Sequence, residues 1–525
     1  LMKSRLESYA LAQYSRVLTQ MDRDPHSPTY GCFDRNYWHY KIRDFPSSIL
    51  QQGVFAIEAV RKGRLPGVNP PTSVIDWSLA AVNALSRQVN GFGAVDEYYP
   101  FEHSYPAAAF GLLATARLTF DWSHEAPQML ERVAWPGLVR LARHLLGRVE
   151  LQASNQQAAG LAALALASRV PQLGIPPADV ARKAAEFFAT QHEEGWFDEY
   201  GGPDFGYLSV TIDALMDYHE ATNDPAALTA ATRALNFLCS MTACDGRLPS
   251  TLNSRNTDYA VPCGIVRLAA VNPSASWLAH QLFGGIGDAV NHFLWPTDDR
   301  YHLHYIFASV VRSLDYAASM LPPGPAPPQP ESQWLPGAGY WVVRRPRSTI
   351  FVAAHKGGLV RVHRPDQPPI ADHGWRAVSP TGRLFTTNWW TPPRMIDRAP
   401  DSLCVTHSFQ ASSFQSPSPA RHIVLRLLSF TLRNRVIPLL KRFLIFQPGQ
   451  ALGPKFRRSI TLLPDRVRIE DRFEGAAGFT LTRSPRQNLR HVASADSFST
   501  EEFDAATELI RPGPGLSIAT REIEL

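Results

Sequence analysis

The sequence is poor in cysteine, in net charge and in long apolar runs, and each shortage excludes a class of protein. Its five cysteines are an odd number without a Cys-x-x-Cys pair, which predicts reduced core thiols rather than a disulfide framework or a zinc ribbon. Lys and Arg number 52 against 47 Asp and Glu. This small, scattered excess does not indicate a nucleic-acid partner, but it allows an acidic sugar polymer. No run of 18 uncharged apolar residues is present, so no membrane span is expected.

Several catalytic signatures are missing as well. Neither Gly-x-Ser-x-Gly nor His-Glu-x-x-His occurs, and the Gly-x-Gly pieces at 91–93 and 337–339 do not follow a strand that leads into a helix. No cofactor and no metal are therefore predicted. Residues 1–24 are amphipathic and charged, without a secretory signal. This predicts a cytoplasmic location for the sequence given, with a periplasmic location as the alternative if a signal peptide has been removed.

Two kinds of periodicity divide the chain. From 47 to 321, about ten segments carry apolar residues at i, i+3, i+4 and i+7 and are separated by short turns, which predicts helical hairpins. The proline-rich segment 321–339 admits neither a helix nor a central strand. Beyond it, short alternating runs predict an antiparallel β-sandwich, with 422–434 (HIVLRLLSFTLRN) among its strands. The predicted organisation is an (α/α) toroid over 1–320, a linker over 321–339 and a β-sandwich over 340–525.

Several loop-like stretches hold more polar and aromatic side chains than a turn requires. The stretch 31–48 contains Arg35, Trp38 and His39, which suit binding of an acidic sugar, since aromatic rings stack on pyranose faces and Arg pairs with carboxylate or sulfate. A purely structural role, in which the segment seals the toroid, explains these residues equally well.

A second stretch, 93–104, precedes a predicted helix and contains Glu97, Glu102 and His103. A helix cap accounts for one acidic side chain but not for several acids and a histidine, so a functional interpretation is favoured. Three further stretches follow at 153–160, 193–207 and 250–264. Their candidate residues are Asn155, Gln156, Glu199, Tyr200, Tyr207, Asn253, Arg255 and Asn256.

The order of these features resembles the heparinase II/III-like and alginate-lyase-like polysaccharide lyases. The first matching feature is Ser-Asn-Gln at the start of a helix, at 154–156. A loop with Trp, Phe, acidic residues and Gly follows and leads to Tyr207, about 50 residues after Asn155. A proline-rich linker and a sandwich complete the order. The chain most resembles the heparinase-like proteins that accompany bacterial exopolysaccharide or O-antigen synthesis. The resemblance implies that Asn155 neutralises a uronate carboxylate, that Gln156 stands where the family often has His, and that Tyr207 carries the proton.

The implied reaction is β-elimination, in which the proton α to a uronate carboxylate is removed. Such a step requires electrostatic stabilisation of the developing enolate, which Asn155 and Arg255 can supply. Tyrosine has a pKa near ~10 in water and needs nearby cations to act as a base, and His103 is an alternative base.

The sandwich region departs from the family, which usually contributes a His-x-His-x-Asp strand with a structural zinc in some members. Here His355, His363 and His373 occur without that spacing, so a zinc site is not expected. His373, which follows Asp372 and precedes Gly374, is the preferred catalytic contribution of the sandwich.

Other functions fit the same residues. A glycoside hydrolase could use the acid pairs Asp96/Glu97 and Asp198/Glu199, since hydrolysis needs two carboxyl groups about 5–10 Å apart. A uronate C5-epimerase shares the proton abstraction, and a non-catalytic protein could bind polysaccharide during exopolysaccharide assembly. The predicted partner in every case is an acidic polysaccharide or oligosaccharide. The sugar, the linkage and the oligomeric state are not specified by the sequence.

Overall fold

A computed structural model describes residues 2–285, 297–412, 416–435, 453–483 and 508–525. The helical part comes first. Its α-helices are α1 (Met2–Leu18), α2 (Arg35–Trp38), α3 (Val54–Arg61), α4 (Ser73–Gln88), α5 (Tyr105–Glu125), α6 (Trp135–Leu146), α7 (Ser154–Ser168), α8 (Pro177–Phe188), α9 (Phe205–Thr222), α10 (Pro225–Ser240), α11 (Cys263–Leu268), α12 (Pro273–Phe283), α13 (Asp299–Tyr301) and α14 (Phe307–Ser313). Short 3-10 turns and a π-helical turn, His302–Ile306, lie between them.

Helices α5, α7 and α9 form the inner layer of the helical part. α7 packs between α5 and α9 and is buried along almost its whole length. Its alanines and Gly160 permit this close approach, because a Cβ on Gly160 would lie 2.4 Å from the Tyr105 hydroxyl. The outer helices α6 and α8 bury one apolar face each, as their spacing predicts. The N-terminal ends of α7 and α9 are thereby held next to each other.

The C-terminal part contains three five-stranded antiparallel sheets in the described residues, ordered β1-β2-β3-β4-β5, β10-β7-β6-β13-β14 and β15-β12-β11-β9-β8. The strands are β1 (Ser332–Leu335), β2 (Tyr340–Arg345), β3 (Ser348–Ala353), β4 (Leu359–Arg364), β5 (Gln367–Asp372), β6 (Trp375–Val378), β7 (Leu384–Thr386), β8 (Met395–Ala399), β9 (Ser402–Ser408), β10 (Gln410–Ser412), β11 (Lys455–Leu462), β12 (Arg466–Glu474), β13 (Thr480–Arg483), β14 (Leu509–Ile510) and β15 (Ser517–Glu524). Helix α15 (Pro419–Leu432) lies between β10 and β11 in the chain.

The first sheet is buried on both faces. Trp341 on β2 packs into the core shared with the third sheet, whereas Tyr340 and Val342 belong to the core of the helical part. This alternation follows from the two-residue period of a strand. The sheet therefore lies between the toroid and the remainder of the sandwich.

The centre of the sandwich contains a buried ion cluster. Arg458 is fully buried and donates from Nε to Asp471 Oδ1 at 2.7 Å, and its Nη1 lies 2.9 Å from Asp372 Oδ1. Arg483 and Arg521 also contact Asp372 Oδ2, at 2.6 and 3.0 Å. Asp372 ends β5 and is followed by the turn that carries His373, so the cluster fixes the base of that turn.

The toroid-then-sandwich fold class is confirmed, with two local corrections. The first strand, Ser332–Leu335, lies inside the segment predicted as linker, because a proline-free stretch, Glu-Ser-Gln-Trp-Leu, separates Pro330 from Pro336. The segment 422–434 was predicted as a strand, which is wrong: its apolar residues also satisfy the spacing of a helix, and Ser418 and Pro419 provide a helix start. The domain limits themselves stay a prediction.

The five cysteines are free thiols. Cys32, Cys239 and Cys263 are buried as expected, whereas Cys244 is exposed and Cys404 half-buried, so the prediction of core positions is wrong for these two. No helix in the described part of the chain is long and apolar enough to cross a membrane.

Candidate functional site

The site is built around Asn155, the second residue of α7. Its side chain is fully buried, its backbone N–H donates to Glu199 Oε1 at 2.6 Å, and its Nδ2 donates to Glu199 Oε2 at 2.9 Å. Burial raises the pKa of Glu199 well above its usual range. Glu199 orients the Asn155 amide through both of its carboxyl oxygens, while one N–H of Nδ2 and the carbonyl oxygen remain for other partners.

Four polar atoms of the α7 start and of the Arg255 loop are buried without a hydrogen-bond partner among the described residues. They are Asn155 Oδ1, Gln156 Oε1, Arg255 Nε and the Tyr259 hydroxyl. A buried polar group left unpaired costs about 1–3 kcal/mol, so a cluster of them is unusual for a purely structural region. Such a cluster is suited to a ligand rich in hydroxyl and carboxylate groups.

Arg255 and Tyr200 form one wall of this region. The guanidinium carbon of Arg255 lies 4.0 Å from the centre of the Tyr200 ring, a cation–π contact. Gln156 Nε2 donates to the Tyr200 hydroxyl at 3.4 Å. Ser254 Oγ donates to the Glu199 carbonyl at 2.7 Å and links the two loops. The structure thus brings Asn155, Gln156, Tyr200 and Arg255 together, as the sequence suggested.

Tyr207 lies in the first turn of α9 and is almost fully buried. Asp204 caps this helix by accepting the Tyr207 N–H at 3.0 Å and also accepts the Thr257 N–H at 3.1 Å. Burial raises the pKa of Asp204 to about 6. The Tyr207 ring meets the ring of Tyr259 edge-on, with 6.3 Å between centroids. Tyr207 therefore joins the Arg255 loop through Tyr259.

A group of buried tyrosines extends from Tyr207 through the helical part. Tyr259 stacks on Tyr305 at 5.6 Å, and Tyr305 stacks on Tyr301 at 6.0 Å. The hydroxyl groups of Tyr301 and Tyr98 are 3.3 Å apart. Tyr301 and Tyr305 were missed by the sequence analysis, although their i, i+4 spacing places them on one helical face. Stacked phenol rings with polar edges are suited to binding sugar rings.

The sandwich contacts the loops of Arg255 and Tyr200 through two side chains that the sequence did not point to. Lys356 is buried, and its Nζ donates to the carbonyl oxygens of Thr251 and Asn253 at 2.7 and 2.8 Å and to Asn256 Oδ1. Trp390 Nε1 donates to the Gly201 carbonyl at 2.8 Å. The loops that carry Arg255 and Tyr200 are therefore fixed by the sandwich.

His373 lies near these contacts. Burial and the guanidinium of Arg361 lower the pKa of His373 to about 3, and Lys356 acts in the same direction. The ring is therefore neutral at physiological pH, and its Nδ1 is buried without a hydrogen-bond partner among the described residues. A neutral imidazole with so low a pKa is a weak base, so His373 is suited to a hydrogen bond with a ligand rather than to proton abstraction.

Several predicted residues hold the loops by hydrogen bonds within the protein. Glu97 accepts from Ser104 Oγ at 2.9 Å and from Arg300 Nη2 at 2.6 Å. Glu102 Oε2 accepts three consecutive backbone N–H groups, those of residues 97, 98 and 99. Asn253 accepts the Phe205 N–H at 3.1 Å. These side chains have structural bonds that explain their positions without a ligand.

His103 lies in a different environment from Tyr207. Its backbone has a positive φ of 53°, and its ring packs against Phe92 and His144, with centroids 5.6 and 6.4 Å away. Burial and the nearby Arg148 lower its pKa to about 4. The contacts described for His103 connect it to α6 rather than to the loop of Arg255.

The 31–48 stretch also forms its own local structure. Trp38 Nε1 donates to the Gln20 carbonyl at 2.8 Å, the Arg35 guanidinium lies 5.4 Å from the Tyr40 ring, and His39 is exposed. Within the described residues, none of these contacts reaches the loops of Asn155 or Arg255. The described ranges also contain no group of three or more His, Cys, Asp or Glu side chains arranged to hold a metal ion.

Comparisons with known proteins agree with this architecture. No protein-family model matches the chain, and no curated protein matches its sequence. Among solved structures, a chondroitin AC lyase from Streptomyces coelicolor A3 superposes with a TM-score of 0.56 at 16% identity, over 92% of this chain and 68% of that one. A xanthan lyase from Paenibacillus superposes with a TM-score of 0.54 at 11% identity, over 91% of this chain and 46% of that one.

Heparinase III is a further structural neighbour, with a TM-score of 0.49 at 11% identity over 92% of this chain and 72% of that one. Identities this low describe the fold and not the reaction. The chain therefore shares its fold with the chondroitin AC lyase and xanthan lyase structures.

Proposed function

We propose that the chain is a polysaccharide lyase that cleaves an acidic, uronate-containing bacterial polysaccharide by β-elimination. The observation that carries this proposal is the set of unpaired buried polar atoms at Asn155, Arg255 and Tyr259, of which Tyr259 contacts the Tyr207 ring. Its chemistry suits a uronate, because an amide and a guanidinium can bind a carboxylate while the phenol groups face the sugar ring.

In the proposed reaction, Arg255 and the second N–H of Asn155 Nδ2 bind the uronate carboxylate and stabilise the negative charge that develops on it. The Tyr207 hydroxyl, as phenolate, removes the proton α to the carboxylate. The glycosidic bond to the leaving sugar breaks as the double bond forms, and Tyr207 returns the proton to the departing oxygen. Glu199 keeps the Asn155 amide in place throughout, because its carboxyl group binds both N–H groups that fix that residue.

Hydrolysis is less well supported by the same contacts. Glu97 and Glu199, one from each acid pair considered above, are bound by protein groups, at Arg300 and Asn155 respectively. Asp96 accepts the backbone N–H groups of residues 101 and 103. A hydrolase needs two carboxyl groups available to the scissile bond, so these structural roles favour elimination.

The test compares the wild type with Tyr207→Phe on a panel of acidic bacterial polysaccharides, following the ultraviolet absorbance of the unsaturated uronate. We expect a rise with the wild type and a loss of about 10²–10⁴-fold in kcat for the variant, because the proton carrier is removed while the ring packing is kept. Tyr14→Phe, on α1, is the matched control and should retain activity.

The other outcomes separate the remaining candidates. Shortened chains without new absorbance would favour a hydrolase. Exchange of the α proton with solvent, without shortening, would favour the uronate epimerase. Binding without either change would indicate a polysaccharide-binding protein and would refute the proposed elimination.

A further inference from the structure

Helix α15 exposes an apolar face that globular proteins normally turn inwards. Ile423, Leu427 and Phe430 follow the i, i+4, i+7 spacing of one helical face, and their exposed fractions are 59, 62 and 62%. Val424 and Leu428 widen this face, at 54 and 42% exposure. An isolated exposed leucine needs no explanation, but a continuous apolar helical face marks an interaction surface.

Helix α15 is attached to the toroid through side chains along one edge of its apolar face. Arg426 forms a bidentate ion pair with Asp44, at 2.9 and 3.0 Å. Ser429 is fully buried. Just beyond the helix, the Arg433 guanidinium lies 3.8 Å from the Phe92 ring. Phe430 lies at the same edge and packs edge-on against Phe101, with 5.3 Å between ring centroids, whereas Ile423, Val424 and Leu427 remain more than half exposed.

The chain segment that carries this helix has charged side chains of one sign only. The sequence contains neither Asp nor Glu between Asp401 and Asp465. The helix and the turn after it carry exposed arginines, at Arg421, Arg426 and Arg435 among others. A partner that complements this surface must combine negative charge with an apolar interior.

We propose that α15 docks on an anionic lipid surface, lying in the plane of the membrane interface with its apolar face inserted. This inference is independent of the proposed function. Interfacial helices combine a strongly apolar face with basic residues that reach the headgroups, and Arg side chains can extend to the surface from a partly inserted helix. A second copy of the chain would bring the same positive charge against itself, which disfavours self-association through this face.

The experiment is co-sedimentation of the full chain with vesicles of phosphatidylglycerol and phosphatidylcholine in equal parts, and with phosphatidylcholine alone. We expect binding to the anionic vesicles that falls steeply with added salt, and much weaker binding to the neutral ones. The double variant Ile423→Glu/Leu427→Glu should bind at least ~10-fold more weakly, because it removes apolar contact and adds repulsive charge. Ile518→Glu, on β15 and 54% exposed, is the matched control and should bind like the wild type.

A second variant, Arg421→Glu/Arg435→Glu, tests the charge separately and should also lose binding to anionic vesicles. Thermal unfolding of each variant verifies that these exposed substitutions leave the fold intact. Absence of vesicle binding by the wild type would overturn the proposal. It would also be overturned if sedimentation velocity showed a concentration-dependent dimer that the Ile423→Glu/Leu427→Glu variant abolishes, since the face would then join two copies of the chain.

Discussion

Replacing Lys356 by methionine tests whether the sandwich holds the loop that carries Arg255. Lys356 Nζ donates to two backbone carbonyls and to Asn256 Oδ1, and its side chain is 2% exposed. Methionine has nearly the same length but donates no hydrogen bond, so three buried acceptors lose a partner. At about 1–3 kcal/mol for each acceptor, the gross loss is ~3–9 kcal/mol. Removal of a desolvated charge offsets part of it, which leaves an expected net loss of about 3–5 kcal/mol.

Urea denaturation measures this loss as a change in the free energy of unfolding, and the same variant is assayed for uronate elimination. Loosening of the loop of Arg255 should lower kcat/KM as well, because Arg255 would no longer be held against Tyr200. Lys455→Met is the control, since Lys455 is exposed on β11 and its replacement should change stability by less than about 0.5 kcal/mol. If Lys356→Met proved as stable as Lys455→Met, the assignment of Lys356 as the link between sandwich and toroid would be wrong.

Two further predictions concern buried acids. Asp372→Asn should destabilise the protein by about 3–5 kcal/mol in urea denaturation, because Arg458, Arg483 and Arg521 would lose a shared buried carboxylate; a loss below about 1 kcal/mol would contradict this. Burial raises the pKa of Glu102 to about 8 in the folded protein. Its carboxyl group therefore ionises at a lower pH in the unfolded chain than in the folded one, and the free energy of unfolding should fall as pH rises from about 4 to 8. In thermal unfolding, the Glu102→Gln variant should show a weaker dependence of stability on pH. An unchanged pH dependence would refute the assignment of this effect to Glu102.

The fold was readable from the sequence because its two periodicities are segregated along the chain. Helical spacing ends near Met320 and alternation begins after Pro330, so the helices and strands could be assigned to separate parts. Helix α15 was misread because its run of consecutive apolar residues fits either period. A core strand and a helix with an outward apolar face look alike in sequence, and the tertiary context that separates them is absent there.

The candidate site was predictable in part. Asn155, Gln156, Tyr200 and Arg255 were identified because polar side chains gathered in loops ahead of helices, and the packing of α7 beside α9 brings those loops together. Lys356 could not be found in this way. It lies in a short 3-10 turn of the sandwich, and its contact with Asn256 spans 100 positions of the chain, a pairing that no local pattern encodes.

The acidic residues of the site act chiefly as supports, and this bears on the class of reaction. Glu199 binds the two N–H groups of Asn155, Glu102 binds three backbone N–H groups of its loop, and Asp204 caps α9 below Tyr207. Burial raises the pKa of each of these three carboxyl groups, because the charged form loses its contact with water. These acids already accept hydrogen bonds from the protein. The amide, guanidinium and phenol groups are therefore the ones available to bind the proposed substrate. A carboxylate is what those groups bind best, which supports the proposed acidic sugar over a neutral one.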